Sequence, residues 1–86
     1  MKTLYLVMAM RKPGFRAEVI EPHRAFLARL RAEDRLELTG GFADGSGGAY
    51  LLKNVASLEA ARALVAQDPL VLHDASELTV YAWQVH

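Results

Sequence analysis

The 86-residue sequence predicts an α+β domain in which a four-stranded antiparallel sheet carries two helices on one face. Three observations lead there. Two stretches with helical spacing of apolar residues, opened by Pro22 and by Ser57, are set among four stretches of strand character. The segment Ala43-Asp44-Gly45-Ser46-Gly47-Gly48 is short and glycine-rich, as a connection between antiparallel strands requires. Turn signals at Arg11-Lys12-Pro13-Gly14 and at Asp68-Pro69 fall between these stretches, not inside them.

Met1 to Met10 reads as the first strand. Leu4, Leu6 and Met8 lie on one face and Tyr5, Val7 and Ala9 on the other, so both faces are apolar and the strand should be covered from both sides. Phe15 to Ile20 is readable as loop or as an early helical turn. Pro22 suits the first position of a helix, where its missing N–H costs nothing; Glu21 before it is a poor N-cap. This helix is expected to run to about Asp34, with Arg24, Arg29, Arg31 and Glu33 on its wet side. His23, Phe26, Leu27 and Leu30 recur in steps of three and four, which places an imidazole on the inward stripe. Leu36 to Phe42 and Ala49 to Val55 read as the second and third strands. Ser57 can cap the second helix, Glu59 suits its first turn, and Leu58, Ala61, Leu64 and Val65 form its apolar stripe. Pro69 disfavours helix at Asp68 and ends it. Glu77 to Val85 is the last strand, with Leu78, Val80 and Ala82 on one face and Tyr81, Trp83 and Val85 on the other.

The order β-α-β-β-α-β is the split βαβ, or ferredoxin-like, arrangement, and residues 1–86 form a single domain. Its helices cover one sheet face only. Tyr5, Tyr81 and Trp83 are candidates for the uncovered face, and a bare apolar patch of this kind marks an interface. The expectation is a symmetric homodimer packed sheet to sheet, alone or within a larger assembly of such dimers.

Composition narrows the function classes. Lys plus Arg and Asp plus Glu each number 10, which argues against a nucleic-acid footprint or a polybasic membrane surface. Cysteine is absent, so no disulfide, thiolate nucleophile or cysteine metal site is available. The apolar run 4–10 is too short to span a bilayer and lacks the flanks of a signal peptide. A soluble cytoplasmic domain is expected, with neither nucleic acid nor membrane as partner. His23, His73 and His86 lack the paired spacing of zinc sites, so no metal is expected. No Gly-x-Gly-x-x-Gly or Walker pattern opens a helix, so no nucleotide and no other cofactor is expected.

The inward histidine needs a hydrogen-bond partner or a chemical role, and the Gln67-Asp68-Pro69 turn offers a carboxylate. A helix start favours neutral imidazole, and a neighbouring carboxylate fixes its tautomer. Together they would leave one ring nitrogen free to accept a proton, given contact within roughly 3.2 Å or through one water. Against this, Asp68 falls at the C-terminal end of the second helix, the wrong end of its dipole for an anion. The plain alternatives are a core histidine bonded to a backbone carbonyl and a turn aspartate preceding proline. The residues alone favour those alternatives. Gly45, Gly47 and Gly48 read as hairpin residues needing positive φ. Ser46, without a base near it in sequence, reads as a ligand contact or plain loop. Arg11, Arg16 and Arg24 could meet a substrate carboxylate, although exposed arginines are ordinary. Tyr81 and Trp83 could stack a flat ligand, but alternating strand aromatics more often form core or interface.

Pro22-His23-Arg24-Ala25-Phe26-Leu27, then Leu38-Thr39-Gly40-Gly41-Phe42-Ala43-Asp44-Gly45-Ser46-Gly47-Gly48, then Ser57-Leu58-Glu59-Ala60-Ala61-Arg62 and Asp68-Pro69-Leu70, together resemble the YciI-like (YCII) family over nearly the whole chain. The resemblance implies a ferredoxin-like dimer related to the dimeric α+β barrels of muconolactone isomerase type. It implies a His–Asp dyad at His23 and Asp68, with Ser46 lining the same pocket; Gly40 and Gly41 are read from the residues themselves as substrate contacts, glycines that could let backbone N–H groups approach an anionic ligand. One branch of the family is similar to dehydrochlorinases acting on chlorinated hydroxyquinols. The chain departs from the commonest pattern at Gly41, where many relatives have proline, and at Leu70, where an aromatic is frequent. With this resemblance the balance moves to a small cofactor-independent lyase or isomerase acting on a cyclic or aromatic molecule. The rival is a non-catalytic dimer binding a small molecule or partner, with the His–Asp pair structural.

Overall fold

The computed structural model describes residues 1–86. Its order is β1 (Lys2–Arg11), a 3-10 turn (Ala17–Val19), α1 (Ile20–Ala32), β2 (Leu36–Gly41), β3 (Gly47–Leu52), α2 (Leu58–Val65), α3 (Pro69–Leu72) and β4 (Ser76–Val85). The strands form one sheet in the order β2-β3-β1-β4, every pair antiparallel. This is the expected ferredoxin-like arrangement, with α3 added and with the 3-10 turn falling in Phe15 to Ile20, which the sequence left as loop or early helical turn. No helix is long and apolar enough to cross a membrane.

Several boundaries move, each for a local reason. The 3-10 turn runs directly into α1, so the helix starts at Ile20 and Pro22 sits third in it, not first. The N–H groups of the whole first turn lack helical partners, so proline is tolerated there as well. The helix ends at Ala32 because Asp34 turns into the left-handed region at φ 59°, and Arg35 N–H closes on Leu30 O at 2.8 Å. β3 starts at Gly47, not Ala49, and stops at Leu52, ahead of Asn54 at φ 55°. Gly47 and Gly48 are therefore strand residues, and they are glycine because of crowding. A Cβ would lie 2.0 Å from Ala9 O at Gly47 and 2.5 Å from Gly40 O at Gly48. The expected positive φ is found at Gly45 (76°), in the turn, and at Gly47 (157°), and is absent at Gly48. Ser57 caps α2 as read, its Oγ accepting from Ala60 N–H at 3.1 Å.

The helices lie against the face carrying Tyr5, Val7, Tyr50 and Leu52, where Phe26, Leu27, Leu30, Ala61 and Val65 complete the main core. Tyr5, a candidate for the bare face, thus belongs to the covered one. It pairs across the sheet with Leu52 and Ala82 and is 6% exposed. A smaller core of Ala9, Val19, Leu70 and Ala75 sits at the other end, under α3. The opposite sheet face has no helix. Leu4 pairs with Trp83 and Leu6 with Tyr81 there, and Leu38, Tyr81 and Trp83 are 60%, 53% and 50% exposed.

Candidate functional site

The site is built around Asp68, the one carboxylate in the interior. It is not the last residue of α2. That helix ends at Val65, and Asp68, in an extended conformation, caps the short α3, which Pro69 opens. The sequence reading of an anion at an unfavourable helix end is therefore overturned. Leu70 N–H donates to Asp68 Oδ1 at 2.8 Å, as an N-cap carboxylate requires. The same oxygen lies 2.9 Å from His23 Nδ1, and Tyr50 Oη donates to Oδ2 at 2.8 Å. No buried side-chain polar atom in the chain lacks a partner. Three donors on one carboxylate offset the cost of taking it out of water.

His23 comes from the first turns of α1, and its side chain is 18% exposed. An ionised carboxylate only accepts, so Nδ1 carries the proton and Nε2 is left as the ring's free nitrogen in the neutral form. The imidazole packs on Tyr50 with centroids 5.9 Å apart, and Tyr50 meets Phe26 edge-on at 6.4 Å. Burial above all, then the charge of Asp68 and the hydrogen bond to it, push the Tyr50 phenol above its ordinary range. It therefore stays protonated and acts as a donor. Tyr50 is the residue that sequence reasoning missed. Its signal was alternation, since Tyr50 and Leu52 share the covered face and a buried phenol demands an acceptor.

His23 opens onto a cavity of about 320 Å³ between α1 and the ends of β1, β2 and β3. Arg11, Arg24, Thr39 and Ser76 supply its other polar side chains, and Phe15, Ile20 and Leu27 much of its apolar wall. Gly40 and Gly41 line it. Neither is forced to be glycine by contact within the chain. A Cβ at Gly40 would meet nothing within 4 Å, and one at Gly41 only Gly47 O at 3.8 Å. Ser46 does not line the cavity, which corrects its placement there. Its N–H donates to Asp44 Oδ1 at 2.9 Å and its carbonyl accepts from Arg11 N–H at 3.0 Å, so it shapes the hairpin and ties it to β1. Its contact holds the exposed Asp44 carboxyl below its usual range. His73 caps the end of α3, Asp74 pairs with Lys12, and His86 is the exposed last residue. No three His, Cys, Asp or Glu side chains converge as metal ligands would.

Residues 3–84 match the model of the YCII-related domain family. The uncharacterized protein YjpA of Bacillus subtilis (strain 168) is 43% identical over 81 residues, which cover 94% of this chain and 94% of that one. Among solved structures, 5-chloro-2-hydroxyhydroquinone dehydrochlorinase (TftG) of Burkholderia phenoliruptrix AC1100, in complex with 2,5-dihydroxybenzoquinone, superposes with a TM-score of 0.71 at 20% identity, over 94% of this chain and 93% of that chain. Rv0793 of Mycobacterium tuberculosis superposes with a TM-score of 0.58 at 19% identity, over 100% and 98%. At such identities the two structures speak for the fold. The family match over nearly the full length, together with the 43% identical relative, shows that the chain belongs to the YCII-related domain family.

Proposed function

We propose that the protein is a small cofactor-independent enzyme, a lyase or isomerase, working on a compact cyclic or aromatic molecule in the cavity beside His23. Nε2 takes a proton from the substrate, and Asp68 holds the ring and stabilises the imidazolium that forms. Tyr50 steadies Asp68 from behind. The proton then returns to a different substrate atom in an isomerisation, or passes to solvent as a leaving group departs in an elimination. Gly40 and Gly41 contribute an open wall that admits the substrate.

One observation carries this reading: the His23–Asp68 pair, 2.9 Å apart, faces a cavity of about 320 Å³, within the usual range of small-molecule sites of about 300–1,000 Å³. A purely structural pair has no need of an opening. The bound quinone of the dehydrochlorinase that shares the fold gives support to a ring-shaped substrate. The second reading, a binding protein in which the pair is structural, draws on the complete satisfaction of Asp68 and its role in capping α3.

Solvent-deuterium incorporation into a panel of small cyclic ketones, lactones and hydroxyquinones separates the two. Wild-type protein should exchange an acidic C–H of at least one compound, and His23→Ala should not, with its circular dichroism unchanged. Equal exchange by both would remove His23 from the chemistry.

The same reading includes self-association. Two copies pair through the bare sheet face, burying Leu38, Tyr81 and Trp83. Sedimentation should find a dimer or a multiple of it, and Trp83→Glu should shift the protein to monomer, because a charge would then be buried without a partner.

A further inference from the structure

We propose that the cavity beside His23 selects a small cyclic anion, whose carboxylate is gripped by the Arg11 guanidinium. This rests on the reading of the cavity as a substrate site and adds the charge of its ligand. Every lining side chain that is charged near neutral pH is basic: Arg11, Arg24 and, when protonated, His23; no Asp or Glu reaches the wall. The chain as a whole is balanced, with 10 basic and 10 acidic side chains, so the bias is local. Asp68, the acid behind this wall, is fully buried and has both oxygens committed to protein donors. Its hydrogen-bonding capacity faces inward, away from a ligand.

Arg11 differs from most other cations of the molecule in what surrounds it. Lys12 pairs with Asp74, Arg16 with Glu18 at 3.7 Å, Arg35 with Glu33 at 3.6 Å and Lys53 with Asp34 at 3.1 Å. Arg24, the other arginine at the cavity, shares Glu21 at 3.4 Å. Arg11 has no carboxylate within reach and instead lies over the Phe15 ring, 4.2 Å from its centroid. Stacking holds a guanidinium by its face and leaves the N–H groups of its edge free for a planar, two-oxygen acceptor. The backbone beneath is fixed, since Arg11 N–H is bonded to Ser46 O and Arg11 pairs with Ser76 of β4. The grip is thus assembled before a ligand arrives, which lowers the cost of binding. A volume of about 320 Å³ suits a single ring.

The test is a titration of the full-length chain by ¹H–¹⁵N NMR with benzoate and with its neutral counterpart benzamide. Benzoate should shift the amides of Arg11, Gly41 and Gly48 saturably and bind about tenfold more tightly than benzamide, the scale expected of a charge-assisted pair. Arg11→Gln should erase that preference, with benzoate affinity falling about tenfold and benzamide affinity by much less, while the amide spectrum away from the cavity stays that of the wild type. Arg11→Lys, which keeps the charge and loses the fork, should fall between. Equal affinity for the two probes, an undiminished preference in Arg11→Gln, or no saturable shift at the cavity with either benzoate or cyclohexanecarboxylate would each overturn the proposal. These readouts need no turnover. A charge preference in a protein that exchanges no substrate proton would leave this inference standing and sink the catalytic reading, and the reverse pattern would do the opposite.

Discussion

The back and the mouth of the cavity are built on opposite principles. At the back, Tyr50, Asp68 and His23 lock one another in place: 2% exposed, 0% exposed and largely covered, each polar contact at 2.8–2.9 Å. At the mouth, Arg24 is 71% exposed and loosely paired, Arg11 is held by a ring, and Gly40 and Gly41 present no side chain at all. The difference separates two tasks. A fixed back sets the direction in which a base points, which depends on rigid packing. An open, charged mouth decides what enters, which depends on field and space. Substitutions at the back should therefore cost stability and chemistry together, and those at the mouth should alter affinity alone.

The largest effect is expected at Asp68. Asp68→Ala removes the cap of α3 and leaves the Tyr50 hydroxyl and the His23 ring without their shared acceptor in a closed interior. Breaking a buried charged network from one side costs roughly 3–5 kcal/mol. Each 1 kcal/mol moves the melting temperature of a domain this size by about 4–8 °C, so a thermal melt should fall by more than about 10 °C. Proton exchange should vanish with it. A melt within a few degrees of wild type would mean that the back is not the rigid unit described.

Tyr50→Phe is a gentler cut. The ring keeps its packing on Phe26 and His23 while Oδ2 of Asp68 loses its donor. Loss of one hydrogen bond to a buried charge should cost about 1.5–3 kcal/mol, and chemical denaturation would show it as a lower midpoint with an unchanged slope. The same residue gives a pH signature. Its phenol is raised in the folded state above the ordinary tyrosine value of about 10. A group raised on folding stabilises fully below its unfolded value and progressively less as pH climbs through and beyond it. Wild-type stability should accordingly fall more steeply above about pH 10 than that of Tyr50→Phe. Parallel curves would remove Tyr50 from the network.

How much of this was legible in the sequence follows from which signals are local. His23 could be placed on the inward stripe because helical spacing is a property of α1 alone. Asp68 could be placed in a turn because Pro69 announces one, but its position as a cap could not, since α3 is only four residues long and too short to show a period. The alternation of β1 shows that Tyr5 and Leu4 face opposite ways. It does not show which way is inward, because both sets are apolar, so from the sequence Tyr5 is a candidate for the bare face and only the placement of the helices decides. Tyr50 escaped notice because its chemistry comes from an acceptor 18 residues away. Ser46 misled in the other direction: a serine among glycines looks like a ligand contact, and here its backbone serves the hairpin.

The smallest effect sharpens the contrast from the mouth. Arg24→Gln removes a charge that is already 71% exposed and shared with Glu21 at 3.4 Å. Exposed pairs of this kind contribute little, about 0–1 kcal/mol, and salt screens them. The melting temperature should stay within a degree or so, and benzoate affinity should drop by less than about threefold at low ionic strength. The drop should vanish as salt is added, because Arg24 acts on the ligand only through its field. The Arg11 contribution, made by direct hydrogen bonds, should persist in part under the same salt. A loss at Arg24 equal to that at Arg11 and equally resistant to salt would show that both arginines grip the ligand directly, and the division between a gripping and a steering cation would have to be abandoned.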